Sequence, residues 1–329
     1  MSAISRILVA IKDPWARSLP AVGKATQLAH ALNAELQLFH ARSEPLYVDV
    51  AQNNGDDLAQ VEHTGLAKPS GRLEALARPI RQRGVAVSCR VDWDFPAYEA
   101  VIRAAHRFKA DLIVADRHLT SHRFSWLLHF TDFELLRLAT MPVLLVKTPQ
   151  PYRRPRVLAA VDPSHAYSKP RGLDREILRS AVLLSQALHG KLHAVHAFDP
   201  LPIGDLPEGL ALGHIAQKIE AAAEFKASKR LARVLDGADV PESRRHMLAC
   251  HPMDAIEQVA SDIGSDIVVM GAISRSGLGR LIIGNTAERV LDRLPCDVLI
   301  VKPRRFVSRV PRTRRGAQIV AVSPIQTGL

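Results

Sequence analysis

Cysteine is scarce in this sequence of 329 residues, which has three: Cys89, Cys250 and Cys296. They are too few and too scattered for a disulfide framework or a thiolate metal centre, so each reads as a small buried or half-buried residue. Long apolar runs are also missing; none approaches the roughly 20 residues that span a bilayer. The opening MSAISRILVAIKDPW lacks an apolar core followed by a small-residue cleavage site. It reads as a first strand rather than a leader, and residence in the cytoplasm is the expectation. No Ser-His-Asp set, carboxylate pair or His-Glu-x-x-His stretch can be assembled, so the leaning is against an enzyme and against a metal site.

Acid is missing from one place in particular. The net charge is +11, and Arg304, Arg305, Arg309, Arg312, Arg314 and Arg315 fall in a run, 304–315, that holds no Asp or Glu. These arginines supply more than half of the excess. Composition therefore predicts that residues 304–329 form a solvated, disordered basic tail, because such a segment cannot bury a core. A tail of this kind could touch nucleic acid or another anionic surface, although no aromatic interleaving or reading helix accompanies it.

Repetition, by contrast, is plentiful. RILVAIKDP (6–14) is echoed by RVLAAVDPS (156–164), and LQLFHAR (36–42) by LHAVHAF (192–198). ADLIVADRH (110–118) is echoed by SDIVVMGAI (265–273), and MPVLLVK (141–147) by CDVLIVK (296–302). The offset drifts only from 150 to 156 residues, so both halves share one element order. Proline-rich TPQPYRRPR lies between them as a linker. Short, continuous β-branched runs such as DIVVM and DVLIV suit strands buried on both faces, as in parallel sheets. Helical stretches alternate with them: 19–32, 97–108, 173–188 and 253–263. The expectation is α/β: two copies, 1–148 and 155–303, of a doubly wound, mostly parallel five-stranded sheet flanked by helices. Ligands of such sheets bind beyond the carboxyl ends of the strands.

One glycine-rich stretch, GAISRSGLGRLIIGNTAERVL (271–291), lies at such an end. It is not a P-loop, since Asn285 stands where the phosphate-binding lysine would be and the stretch follows the fourth strand of its half. Nor is it a dinucleotide turn, because the third glycine is lacking. Gly284, Asn285 and Thr286 instead open a helix, where N–H groups and the dipole favour an anion. The stretch resembles the universal stress protein family, whose nucleotide-binding members carry G-x-x-G, nine residues, then G-S/T. Here the spacing holds through Gly271, Ser274, Gly284 and Asn285, with Ser274 replacing a glycine and Asn285 a Ser/Thr. HPMDAIEQVA (251–260) resembles another segment of the family, and the duplicated form is similar to its tandem E-type members.

The resemblance implies the adenine nucleotide alpha-hydrolase-like fold and a site in the second half for ATP, another adenine nucleotide or some other phosphate-bearing ligand. Asp162 would meet the adenine or ribose, the Ala197 backbone the adenine, and Met270 precedes the first glycine as in binders. The implied role is that of a non-catalytic regulator in stress response. A slow ATP-hydrolysing or adenylate-handling enzyme is the rival, with Ser164, Ser274 and Thr286 as its candidate nucleophiles. An adaptor working through the basic tail is a third reading. The first half lacks the motif: Asp116, Leu119 and His129 stand at the positions of Gly271, Ser274 and Gly284, and an acid there would repel a phosphate. That half would serve as a scaffold, the two domains pairing as the family's homodimer does, through strands such as MPVLLVK and CDVLIVK; homodimerisation of the whole chain is also compatible. His193 and His196, three apart on a strand, should face opposite ways and so share no metal. His40 and His196 occupy equivalent repeat positions, which suggests a shared structural role.

Overall fold

The computed structural model describes residues 4–49, 56–117, 133–164, 172–198, 212–272, 291 and 293–322. The chain passes from a first compact unit to a second between Pro151 and Tyr152, and returns to the first between Phe306 and Val307. In the first unit the elements are β1 (Arg6–Ala10), α1 (Pro20–Leu32), β2 (Glu35–Arg42), β3 (Leu46–Asp49), α2 (Asp56–Gln82), β4 (Val87–Trp93), α3 (Ala97–Phe108), β5 (Leu112–Asp116) and β6 (Val143–Val146). Its main sheet has the order β4-β2-β1-β5-β6, and each of those pairings is parallel. The second unit runs β7 (Arg156–Ala160), α4 (Leu173–Ala187), β8 (Lys191–Ala197), α5 (Leu212–Val234), β9 (Arg245–Leu248), α6 (Pro252–Asp262), β10 (Ile267–Gly271) and β11 (Asp297–Val301). Its order, β9-β8-β7-β10-β11, is that of the first unit, again wholly parallel.

The cores follow from the strand composition. Every residue of β5, β6, β10 and β11 is buried, as continuous apolar runs require when helices cover both faces of a sheet. Each fully buried Val, Leu or Ile contributes about 1.5–3 kcal/mol, so these short strands carry much of the stability. The helices start and stop on local signals. Pro20 and Pro252 open α1 and α6, where a missing N–H costs nothing. Asn33 and Lys109 end α1 and α3 in the left-handed conformation, their N–H groups closing the last turn. Among the described residues, no helix is long and apolar enough to cross a membrane.

The C-terminal segment departs from what its composition predicts. Instead of a disordered extension, residues 307–322 belong to the first unit. They end in β12 (Ile319–Val322), which pairs in parallel with β3. The physical reason is that the acid absent from the tail is supplied by the domain. Asp94 and Glu99, at the start of α3, are buried beside Arg103 and also hold Arg315. Arg103 itself is about as enclosed as a guanidinium can be, with 1% of its side chain exposed; its Nε and Nη1 each donate at 2.8 Å, to Asp94 and Glu99.

Replacing Arg103 by Met should therefore strand buried carboxylates, at a cost of about 3–5 kcal/mol. Urea unfolding of the full chain checks this: the midpoint should fall sharply, whereas Arg83→Met on the exposed surface should leave it in place.

Candidate functional site

In the second unit β7 lies between β8 and β10, so its carboxyl end is the point where the strand order reverses. Crevices at such points are where doubly wound sheets bind ligands. Four of the sequence-derived candidates come together there: Asp162 just beyond β7, Ala197 at the end of β8, and Met270 and Gly271 closing β10. Ser274, Gly284, Asn285 and Thr286 lie outside the described residues.

Asp162 is half-buried and partly engaged. Its Oδ1 accepts the Ser164 hydroxyl at 2.6 Å and the Ser164 N–H at 3.2 Å, closing an Asp-Pro-Ser turn. Its own N–H donates to Oδ1 of the buried Asp174 at 2.9 Å, which ties the exit of β7 to the first turn of α4. Both of these bonds use Oδ1, and no bond from a described residue reaches Oδ2. Asp174 was not singled out by the motif. Its signal was an acid in the first turn of a predicted helix, where the dipole favours negative charge.

Gly271 has a reason to be glycine that owes nothing to a ligand. A Cβ at this position would lie 2.6 Å from Cδ2 and 3.0 Å from Cγ of Leu173, and 3.3 Å from Cδ1 of Ile177. Helix α4 thus rests directly on the backbone at the end of β10. In the first unit the same strand exit carries Asp116, and the helix start is held differently. Asp116 is buried, and its Oδ1 accepts the N–H of Ala21, in the first turn of α1, at 2.7 Å. The acid at that exit thus also caps a helix. Leu119 and His129 lie outside the described residues.

Other residues at the strand ends are held by local contacts. His40 is buried, and its Nδ1 donates to the carbonyl of Ile11 at 2.9 Å; burial pushes its pKa down. Arg42 lies over the Trp93 ring, 3.9 Å from its centroid, and donates to the Gly65 carbonyl at 2.7 Å. His196, the repeat equivalent of His40, is likewise buried, while His193 is only half-buried, as expected for residues on opposite faces. His193 meets His246 on the neighbouring strand β9, Nδ1 to Nε2 at 3.1 Å. Among the described residues, no group of three or more His, Cys, Asp or Glu could hold a metal ion.

Two units with one strand order, each a parallel sheet of the doubly wound kind, define a duplicated α/β protein. The profile of the Universal stress protein family matches residues 3–147 and 154–302, and the chain belongs to that family as a tandem member. Over 316 residues it is 25% identical to Universal stress protein E of Escherichia coli (strain K12), covering 94% of this chain and 98% of that one. It is also 32% identical over 133 residues, 40% of this chain, to a universal stress protein of Thermus aquaticus, 93% of which is covered. Among solved structures, one from Pseudomonas aeruginosa UCBPP-PA14 superposes with a TM-score of 0.67 at 24% identity, covering 92% of this chain and 94% of that chain. A universal stress protein from Archaeoglobus fulgidus DSM 4304 gives 0.54 at 15% identity, over 90% and 96% of the two chains. These two likenesses show the fold.

Two outcomes follow from the geometry. Gly271→Ala should lower the melting temperature with or without nucleotide, by the equivalent of about 1–3 kcal/mol, because the methyl group overpacks α4. Adding Leu173→Ala should recover part of that loss if the contact is the cause, which a double-mutant cycle measures. The second outcome concerns pH. Burial, then His246, Arg244, Arg156 and Lys191, lowers the His193 pKa to about 4 from 6.5, while Asp262 faces His246 and acts in the opposite sense there. Between those values the unfolded chain takes up a proton that the folded chain refuses, so stability is lost as pH falls from 6.5 toward 4. Urea titrations across that window should show a shallower decline for His193→Asn.

Proposed function

We propose that the second unit holds an adenine nucleotide, ATP being the first choice, or another ligand that presents a phosphate. On this reading the protein acts in stress response, in the cytoplasm, by binding rather than by catalysis. The observation that carries the reading is the convergence of Asp162, Ala197 and Gly271 at the strand-order reversal, in the half whose sequence keeps the glycine spacing. Asp162 Oδ2 would accept from the ribose or adenine side, and the Ala197 backbone would meet the base. The N–H groups of Gly284, Asn285 and Thr286 would receive the phosphates at a helix start. Ser274 would add a side chain where the family's binders have a glycine, and the Asn285 amide would stand in for a hydroxyl donor.

The contrast between halves supports the same reading. Asp116 puts a carboxylate at the exit where the second unit has bare backbone, so one nucleotide per chain is the expected stoichiometry. A hydrolytic role gains nothing from Ser164, whose hydroxyl is committed to the turn at Asp162.

Isothermal titration of the full chain with ATP, paired with a melting curve, tests this. Binding near one equivalent and a raised melting temperature are expected, both lost in Gly284→Val and weakened in Asp162→Ala. A flat titration and an unmoved melting curve at millimolar ATP would overturn the nucleotide reading.

A further inference from the structure

Residues 314–322 meet the first unit through contacts that read a definite chemistry. Nε and Nη2 of Arg315 donate to the two carboxylate oxygens of Glu99, both at 2.9 Å, in the bidentate manner that suits guanidinium to carboxylate. The N–H groups of Arg315 and Gly316 both donate to Asp94 Oδ1, at 3.0 and 3.2 Å, and Nη2 of Arg314 donates to the Trp93 carbonyl at 3.1 Å. Gly316 then turns at φ +76°, a conformation glycine adopts without strain. The Gln318 carbonyl accepts the N–H of Leu46 at 2.8 Å, and β12 continues beside β3 from Ile319↔Leu46 to Val322↔Asp49. Among the described residues β3 has no other strand partner, so its edge is satisfied by this segment.

The receiving side is built and electrically incomplete without its occupant. Asp94 and Glu99 are buried with one guanidinium, that of Arg103, between them. One cation against two carboxylates leaves a negative charge in a dry setting, and Arg315 neutralises it. Nη2 of Arg103 is buried and has no hydrogen-bond partner among the described residues, so the site has a donor still to offer a carbonyl or water. What is recognised is two arginine side chains, Arg315 by the Glu99 carboxylate and Arg314 by the Trp93 carbonyl, the glycine after them, and otherwise backbone. Nothing in that set depends on the strand being covalently attached.

We propose that this edge of the first unit is a receptor for an arginine-glycine peptide strand, with residues 314–322 as its built-in occupant. The partner it fits is a protein segment that presents Arg-Gly followed by an extended, β-prone run. Such a strand binds by adding to β3, with the Asp94–Glu99 pair supplying specificity. The attached tail competes at an effective concentration of roughly millimolar. An outside strand therefore enters when the tail is weakened or when it binds more tightly than the tail does.

The test uses the full chain and a fluorescent peptide of residues 312–322, followed by anisotropy. Arg315→Ala weakens the resident strand, and that chain should bind the peptide about tenfold or more tightly than the wild-type chain does. Binding should vanish when Glu99→Gln is added, and when the peptide carries the Arg315→Ala change instead. Equal binding by both chains, or undiminished binding of the altered peptide, overturns the proposal. Should Arg315→Ala prevent folding, a protease site inserted between Phe306 and Val307 allows the tail to be cut after folding. The labelled peptide should then exchange into the cut wild-type protein on gel filtration; failure to exchange also overturns the proposal.

Discussion

Parallel strands that are covered on both faces can carry charge only where they end. In β5 and β10 no residue is exposed, and the first positions free to be polar are those at the strand exits. That constraint concentrates the chemistry of both units at the carboxyl edges of their sheets. It also makes each exit residue decide how the helix after the neighbouring strand docks.

The two halves settle those decisions in opposite ways. At one exit Asp116 supplies a carboxylate that caps α1, and the site is spent on holding the helix. At the other, Gly271 supplies nothing, and α4 closes on bare backbone through Leu173. In the first copy Arg42 also lies over Trp93, and the returning C-terminal strand pairs with β3.

The same edge changes the meaning of the net charge. Part of the basic excess that suggests a tail free to engage nucleic acid is consumed inside the molecule. Arg315 is bound to Glu99, 216 residues earlier in the chain, and Arg304 pairs with Glu176 at 2.7 Å. Burial of Asp94 and Glu99 makes that exchange strong where an exposed pair would contribute little. Composition counts charges, but only burial and distance decide which of them remain available to a partner.

Much was legible in the sequence because it is local or periodic. The continuous β-branched runs announced strands covered on both faces, and their recurrence announced two domains of one kind. The separation of His193 from His196 announced opposite faces, since side chains alternate along a strand. Asp162, Ala197 and Met270 were picked out by the family resemblance and Gly271 by the glycine spacing, and all four lie at strand ends because a strand exit is a fixed distance from its own strand. The tertiary structure decided what depends on groups remote in sequence: Asp116 against Ala21, Leu173 on Gly271, His193 beside His246, and the tail on Asp94 and Glu99. A residue's own neighbours set its periodicity and its tendency to be buried, but its partner is chosen by whichever surface the fold brings within a few ångströms.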